Sequence, residues 1–228
     1  MIANKKEFYG GFVLLAAFFV VLFIIFSPVF NGQNGLDYLD SLYNSISKGS
    51  AYYIPKVQEE TDKFIGNKVT MALKMADENQ AQQTASLFTK AGATAEVSEA
   101  QLNISGDLGN ILANCLEDSD SMYNNDGTTV SSKYGYNERQ VLYNWHKALT
   151  AADKNLKKQK LFKEATVVSS AIKKVVETSY NYYKIEPQKI GDKVGIVIFS
   201  LVFYVVYTLW YGFAILFMFE GWGLRLEH

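Results

Sequence analysis

The residue types that most often carry chemistry are scarce in this chain. There is one cysteine, Cys115, and there are two histidines. A thiol nucleophile needs a base beside it, and nothing in the sequence pairs His146, which follows Trp145, with Cys115. Cys115 instead falls on an apolar stripe with Leu108, Ile111, Leu112 and Leu116, where a thiol behaves as a small buried hydrophobe. One cysteine excludes an intramolecular disulfide, and with two histidines it excludes a structural zinc site of Cys/His type. Neither a catalytic residue nor a bound metal or cofactor is expected.

Asp118, Asp120, Asn124, Asp126 and Gly127 resemble a calcium loop only in composition. With Gly127 at loop position six, the first position is Met122 and the twelfth is Lys133, where a bidentate glutamate is required. These residues therefore read as a solvated acidic helix end. Lys154, Lys157, Lys158, Lys160 and Lys163 fall around much of a helix and read as a solvated surface, with an acidic partner or anionic headgroups as alternatives. Asn103-Ile104-Ser105 matches a glycosylation triplet but sits in a strand-like stretch. No phosphate loop, dinucleotide fingerprint, zincin motif or Gly-x-Ser-x-Gly is present. A net charge of −1 gives no basic excess that would point to nucleic acid.

The polar residues with the most informative spacing lie in an apolar stretch. Ser200, Tyr204, Tyr207, Thr208 and Tyr211 recur at three and four residues on one stripe. A hydroxyl inside a bilayer needs a partner, so the stripe predicts a contact with another membrane helix. The alternative is that Ser200 and Thr208 bond back to their own helix. Gly10, Gly11, Ala16 and Ala17 would allow a neighbour to approach closely near the other end of the chain.

The elements that carry these residues follow from hydropathy. Apolar residues are 49% of the chain and charged residues 20%, an ordinary average, but the apolar ones are concentrated at the two ends. No charge occurs from residue 8 to 36 or from 194 to 219. Each stretch is long enough for a hydrocarbon core of about 30 Å. The first is long for a signal peptide, and no small-x-small cleavage site follows it. Tyr9 and Trp222 are placed as interfacial aromatics, and Tyr182 and Tyr183 as rings that sit at headgroup level or pack between helices. Lys5, Lys6 and Arg225 flank the spans, which predicts both ends in the cytoplasm. The expected layout is a tail 1–8, a transmembrane helix 9–30, an extracytoplasmic region 31–190, a second transmembrane helix 191–219 and a tail 220–228.

Between the spans the pattern is mainly helical. A short amphipathic helix is expected over 37–47, opened by Asn34-Gly35 and stopped at Gly49. A long helix is expected from Pro55 to about Lys90, ended by Gly92. Residues 94–97 and 101–105 predict a small β-hairpin, and Asp107 opens the next helix, which makes a helix–hairpin–helix unit. Residues 124–135 read as an exposed, protease-sensitive loop. Asn137 with Gln140 is expected to cap a final helix of roughly 45 residues, broken at Pro187. The fold class is thus mainly α: two transmembrane helices flanking an extracytoplasmic helical domain that contains a small hairpin.

The function this layout predicts is a non-enzymatic membrane subunit or scaffold. Its partners would be the lipid bilayer and other membrane subunits or further copies of itself, without nucleic acid, and a bacterial inner membrane is the expected location. One alternative is an extracytoplasmic ligand-sensing module. About nine residues follow the second span, so it would signal through another chain. The other is a homo-oligomeric pore lined by the hydroxyl stripe, which the lack of charges in both spans disfavours.

Overall fold

A computed structural model of the chain describes residues 2–30 and 32–224. They are mainly helical, with one small three-stranded sheet. The chain divides into two compact units, one of residues 1–49 and 187–228, the other Ser50–Glu186.

Among the described residues the first unit holds three helices. Helix α1 (Lys5–Phe26) is capped by the side chain of Asn4, which accepts from the N–H groups of Lys6 and Glu7. Helix α10 (Ile190–Trp222) ends on Gly223 at φ 91°. At 1.5 Å per residue these helices are about 33 and 50 Å long. Both are long and apolar enough to cross a membrane. Helix α2 (Gly35–Lys48) begins as the sequence predicts, with Asn34 accepting from the Asp37 N–H at 2.9 Å. It belongs to this unit and not to the middle of the chain. The Tyr43 hydroxyl shares a 2.7 Å hydrogen bond with Ser200 Oγ, and the Gln188 N–H donates to the Ser45 carbonyl at 3.0 Å. On this helix Leu36 is exposed, whereas Leu42 is buried.

The second unit corrects three expectations. Residues 55–90 are not one helix. They form α3 (Ile54–Asp62), strand β1 (Lys68–Lys74) and α4 (Glu78–Lys90). Val69, Met71 and Leu73 of β1 are buried while their neighbours are exposed, a period of two that a helix cannot satisfy. The expected hairpin is present as β2 (Thr94–Ser98) and β3 (Gln101–Asp107), but β1 joins it in the order β1-β3-β2, antiparallel throughout. Strands β1 and β2 therefore run the same way, with α4 crossing between them and β3 inserted in the middle.

Residues 124–135 are not an exposed loop. Helix α6 (Gly127–Tyr134) occupies most of them, with Asp126 as N-cap, Val130 fully buried and Gly135 ending the helix at φ 77°. The final helix is not continuous either. Helix α7 (Glu138–Lys158) stops at a turn in which Lys160 takes φ 64°. The chain then continues as α8 (Phe162–Ala171), a π-helical turn (Ile172–Val176) and α9 (Glu177–Tyr182). The remaining helix, α5 (Leu108–Tyr123), opens on Asp107 as expected.

The core of this unit lies between one face of the sheet and the helices. Leu73, Leu102 and Ile104 meet Phe88, Leu112, Trp145 and Leu149 in one buried cluster, and the rings of Phe88 and Trp145 sit edge to face at 5.4 Å. Helix α7 also covers the outer edge of β1. Asn155 and Gln159 donate side-chain amides to the carbonyls of Ala72 and Thr70 at 3.1 and 2.9 Å, which satisfies backbone acceptors that an edge strand would otherwise present.

Candidate functional site: the helix pair and its outward face

Helices α1 and α10 pack side by side and antiparallel, since Gly11 lies against Ala214 and Met218 while Phe18 lies against Tyr207. The contact depends on two glycines. A Cβ added to Gly11 would stand 2.7 Å from the Ala214 carbonyl oxygen, and one added to Gly221 would stand 2.4 Å from the Phe8 nitrogen. Backbone meets backbone at both points, which only a missing side chain permits. Of the other expected close-approach positions, Gly10 faces open space, Ala16 is exposed and Ala17 is half-buried.

Polar side chains tie the pair together. The Tyr207 ring stacks on Phe18 with centroids 4.3 Å apart, and its hydroxyl donates to the Phe18 carbonyl at 2.9 Å. The Trp210 indole N–H donates to the Leu14 carbonyl at 3.0 Å. Trp210, Ala214 and Gly221 were not singled out by sequence reasoning, which followed hydroxyl groups along one stripe. The signal for Trp210 was an indole N–H three residues beyond Tyr207, as polar as the hydroxyls.

The hydroxyl stripe is divided rather than shared. Tyr207 faces α1, and Tyr211 lies 5.1 Å from the Phe18 ring while remaining 43% exposed. Ser200 bonds Tyr43 and the Val197 carbonyl. Thr208 donates to the Tyr204 carbonyl of its own helix at 2.7 Å. Tyr204 is 70% exposed, and its hydroxyl forms no hydrogen bond among the described residues. Thr208 and Gly212 follow it at four and eight residues, both exposed, and a Cβ on Gly212 would meet nothing.

Of the expected interfacial aromatics, Tyr9 and Trp222 are exposed at 57% and 56%. Tyr182 is half-buried, its ring 6.4 Å from that of Tyr123. Tyr183 takes the packing alternative. It belongs to the buried core of the second unit and donates to Glu138 at 2.9 Å, so packing takes up its ring and no surface receives it. Arg225, used to orient the chain, lies outside the described residues.

In the second unit the acidic residues that resemble a calcium loop are consumed by structure. Asp118 is 1% exposed and accepts three hydrogen bonds, from Lys133 Nζ at 2.7 Å, the Tyr134 hydroxyl at 2.6 Å and the Trp145 indole at 2.8 Å. Asp120 accepts from Tyr52, and Asp126 caps α6. Burial alone would lower the Lys133 ammonium, but the hydrogen bonds and charge of Asp118, then of Glu117, outweigh it and raise its pKa. Burial first, and the Asp118 carboxylate second, push the Tyr134 phenol far above its ordinary range. Both groups stay protonated donors at neutral pH, and the cluster ties α5, α6 and α7 together. Cys115 is fully buried, and burial raises its thiol well above the ordinary value. Among the described residues, no group of three or more His, Cys, Asp or Glu side chains could hold a metal ion.

A shallow groove of about 300 Å³ lies between α7 and α9. Leu142 and Val176 floor it, Tyr143 and Tyr180 line it, and His146 Nε2 meets Glu177 Oε1 across it at 3.2 Å. Its α9 wall begins directly after the π-helical turn, a feature frequent at functional sites. Comparison with family models, curated proteins and solved structures finds no match for the chain.

Proposed function

We propose that the chain is a non-enzymatic integral membrane subunit or scaffold. Helices α1 and α10 cross the bilayer as a preformed pair with both chain ends in the cytoplasm. Ser50–Glu186 lies on the far side and binds protein partners. The pair itself associates, with other subunits or with further copies, through the outward face of α10.

The observation that carries this reading is Tyr204. It sits near the middle of the charge-free run 194–219, about 15 Å along the helix from its start. A tyrosine side chain is shorter than that, so its hydroxyl cannot reach the headgroups and must find an acceptor inside the hydrocarbon. Tyr207 and Ser200 have found theirs within the chain; Tyr204 has not. Thr208 and Gly212, on the same side, leave room for a neighbouring helix. The engagement of Ser200 and Tyr207 also speaks against a pore lined by the stripe.

The groove beside the π-helical turn favours a second reading, a ligand-sensing module that signals through another chain. Purification of the full chain in mild detergent, with mass determination, tests the first reading. The wild type should run as an oligomer or with a co-purifying membrane protein. Tyr204→Phe with Gly212→Leu should release the monomer. A wild type that is a lone monomer overturns the proposal.

A further inference from the structure

The second unit has two ends. One is where the chain joins it, marked by Asn125 bonding Ile185 and Glu186 and by Tyr52 bonding Asp120. The other lies about 24 Å away along α5. There the α3–β1 turn, the start of β1 and the α7–α8 turn come together: the Asn67 side chain donates to Glu164 at 3.0 Å, the Gly66 N–H to Asp107, and Gln159 to the Thr70 carbonyl.

This end is unusual in what it exposes. Ile65 is 59% exposed and Phe162 is 61% exposed, each two residues from the Asn67–Glu164 bond. Around them stand Lys63, Lys68, Lys158, Lys160 and Lys163, all exposed, and none forms an ion pair among the described residues. Asp62, Asp107 and Glu164, by contrast, are engaged inside the unit: Asp62 with Gln58, Asp107 as the cap of α5, and Glu164 with Asn67.

We propose that this tip docks on an anionic lipid surface, with the Phe162 and Ile65 side chains entering the interface and the lysines meeting headgroup phosphates. The charge is of the right sign. Two bulky apolar side chains ringed by unpaired lysines form the pattern by which peripheral elements bind anionic bilayers. The cations are all lysines, whose flexible stems lie along apolar material while the ammonium reaches water. The surface is carried by two turns, and a fluid lipid surface asks for no fixed shape in what binds it. This site is separate from the outward face of α10 and stands or falls independently of it.

The test uses the full chain in nanodiscs of neutral phosphatidylcholine, offered separate vesicles of phosphatidylcholine with or without about a third phosphatidylglycerol. Nanodiscs should float with the anionic vesicles and not with the neutral ones, and high salt should release them. Ile65→Ser with Phe162→Ser should weaken binding about tenfold, and Lys63→Gln with Lys158→Gln and Lys163→Gln by at least as much. Equal flotation with neutral vesicles, no flotation of the wild type, or full binding by the Ile65/Phe162 variant would each overturn the proposal. So would binding to soluble polyglutamate with the vesicles left unbound, since that would assign the tip to an acidic polypeptide.

Discussion

Between α1 and α10 half-buried polar side chains find backbone carbonyls; inside Ser50–Glu186 the buried Asp118 and Asn144 gather other side chains. Tyr207 and Trp210 each reach across to a carbonyl of the neighbouring helix. Asp118, in contrast, gathers an ammonium, a phenol and an indole. The buried Asn144 likewise gathers the side chains of Gln80, Gln83 and Gln140. The difference follows from what each contact replaces. A helix carbonyl that is already bonded can accept a second donor without desolvating a charge, so the contact between the two helices is inexpensive and locally replaceable. The Asp118 cluster holds an ion pair and becomes costly once one member is removed.

Asp118→Asn should therefore have the largest effect. The amide keeps the shape but leaves Lys133 beside a neutral group and turns one acceptor into a donor facing Tyr134 and Trp145. We expect a loss of about 3 kcal/mol, the low end for a broken buried pair, because Lys133 keeps Glu117 at 3.1 Å and some exposure. Urea unfolding of the full chain in detergent, followed through the near-ultraviolet signal of the Trp145 region, measures it. A loss below about 1 kcal/mol would mean that the cluster resembles the α1–α10 contact after all.

The helix pair should respond to sterics more than to lost hydrogen bonds, and two adjacent glycines sharpen the point. Gly11→Leu drives a side chain into the Ala214 carbonyl and should cost about 1–3 kcal/mol of pair stability, while Gly10→Leu, facing open space, should change it by less than about 0.5 kcal/mol. Titration with sodium dodecyl sulfate, read through Trp210 fluorescence, would separate them. If both variants behave alike, the α1–α10 contact is not the one described.

The two units also differ in how far sequence alone reaches. The two long apolar helices are legible because hydropathy is a property of the run itself, and Asn34, Asp107 and Asn137 mark helix starts because capping is local. The hairpin shows in Val97, Leu102 and Ile104. Strand β1 does not, because Val57, Phe64, Val69, Ala72 and Met75 also fit a helical period, and only the pairing of Met71 with Ile104 decides between them. Nothing in the residues near Asp118 announces Trp145 on another helix. The outward placement of Tyr204 became visible only once Tyr207 had turned toward α1, since a stripe on one helix does not say which of its members a neighbour will take.

The break after α7 is the subtlest of these misses, and it supports the smallest effect. Residues 157–163 carry no glycine or proline, so the pattern reads straight through. The structure closes the helix with a left-handed residue: the Lys160 N–H donates to the Lys157 carbonyl at 3.0 Å and the Leu161 N–H to the Leu156 carbonyl at 2.9 Å. Elsewhere in the same unit Gly92 and Gly135 hold the corresponding conformation, at φ 78° and 77°. A side chain there costs about 1 kcal/mol. Lys160→Gly should relieve it but adds freedom to the unfolded chain, so the net gain should be at most about 1 kcal/mol, while Gly135→Lys should lose a similar amount. Thermal unfolding of the two variants side by side checks both signs. A destabilised Lys160→Gly would mean that the lysine stem packs along the turn strongly enough to outweigh its backbone strain, and the break would then be held by a side chain where α6 is ended by a glycine.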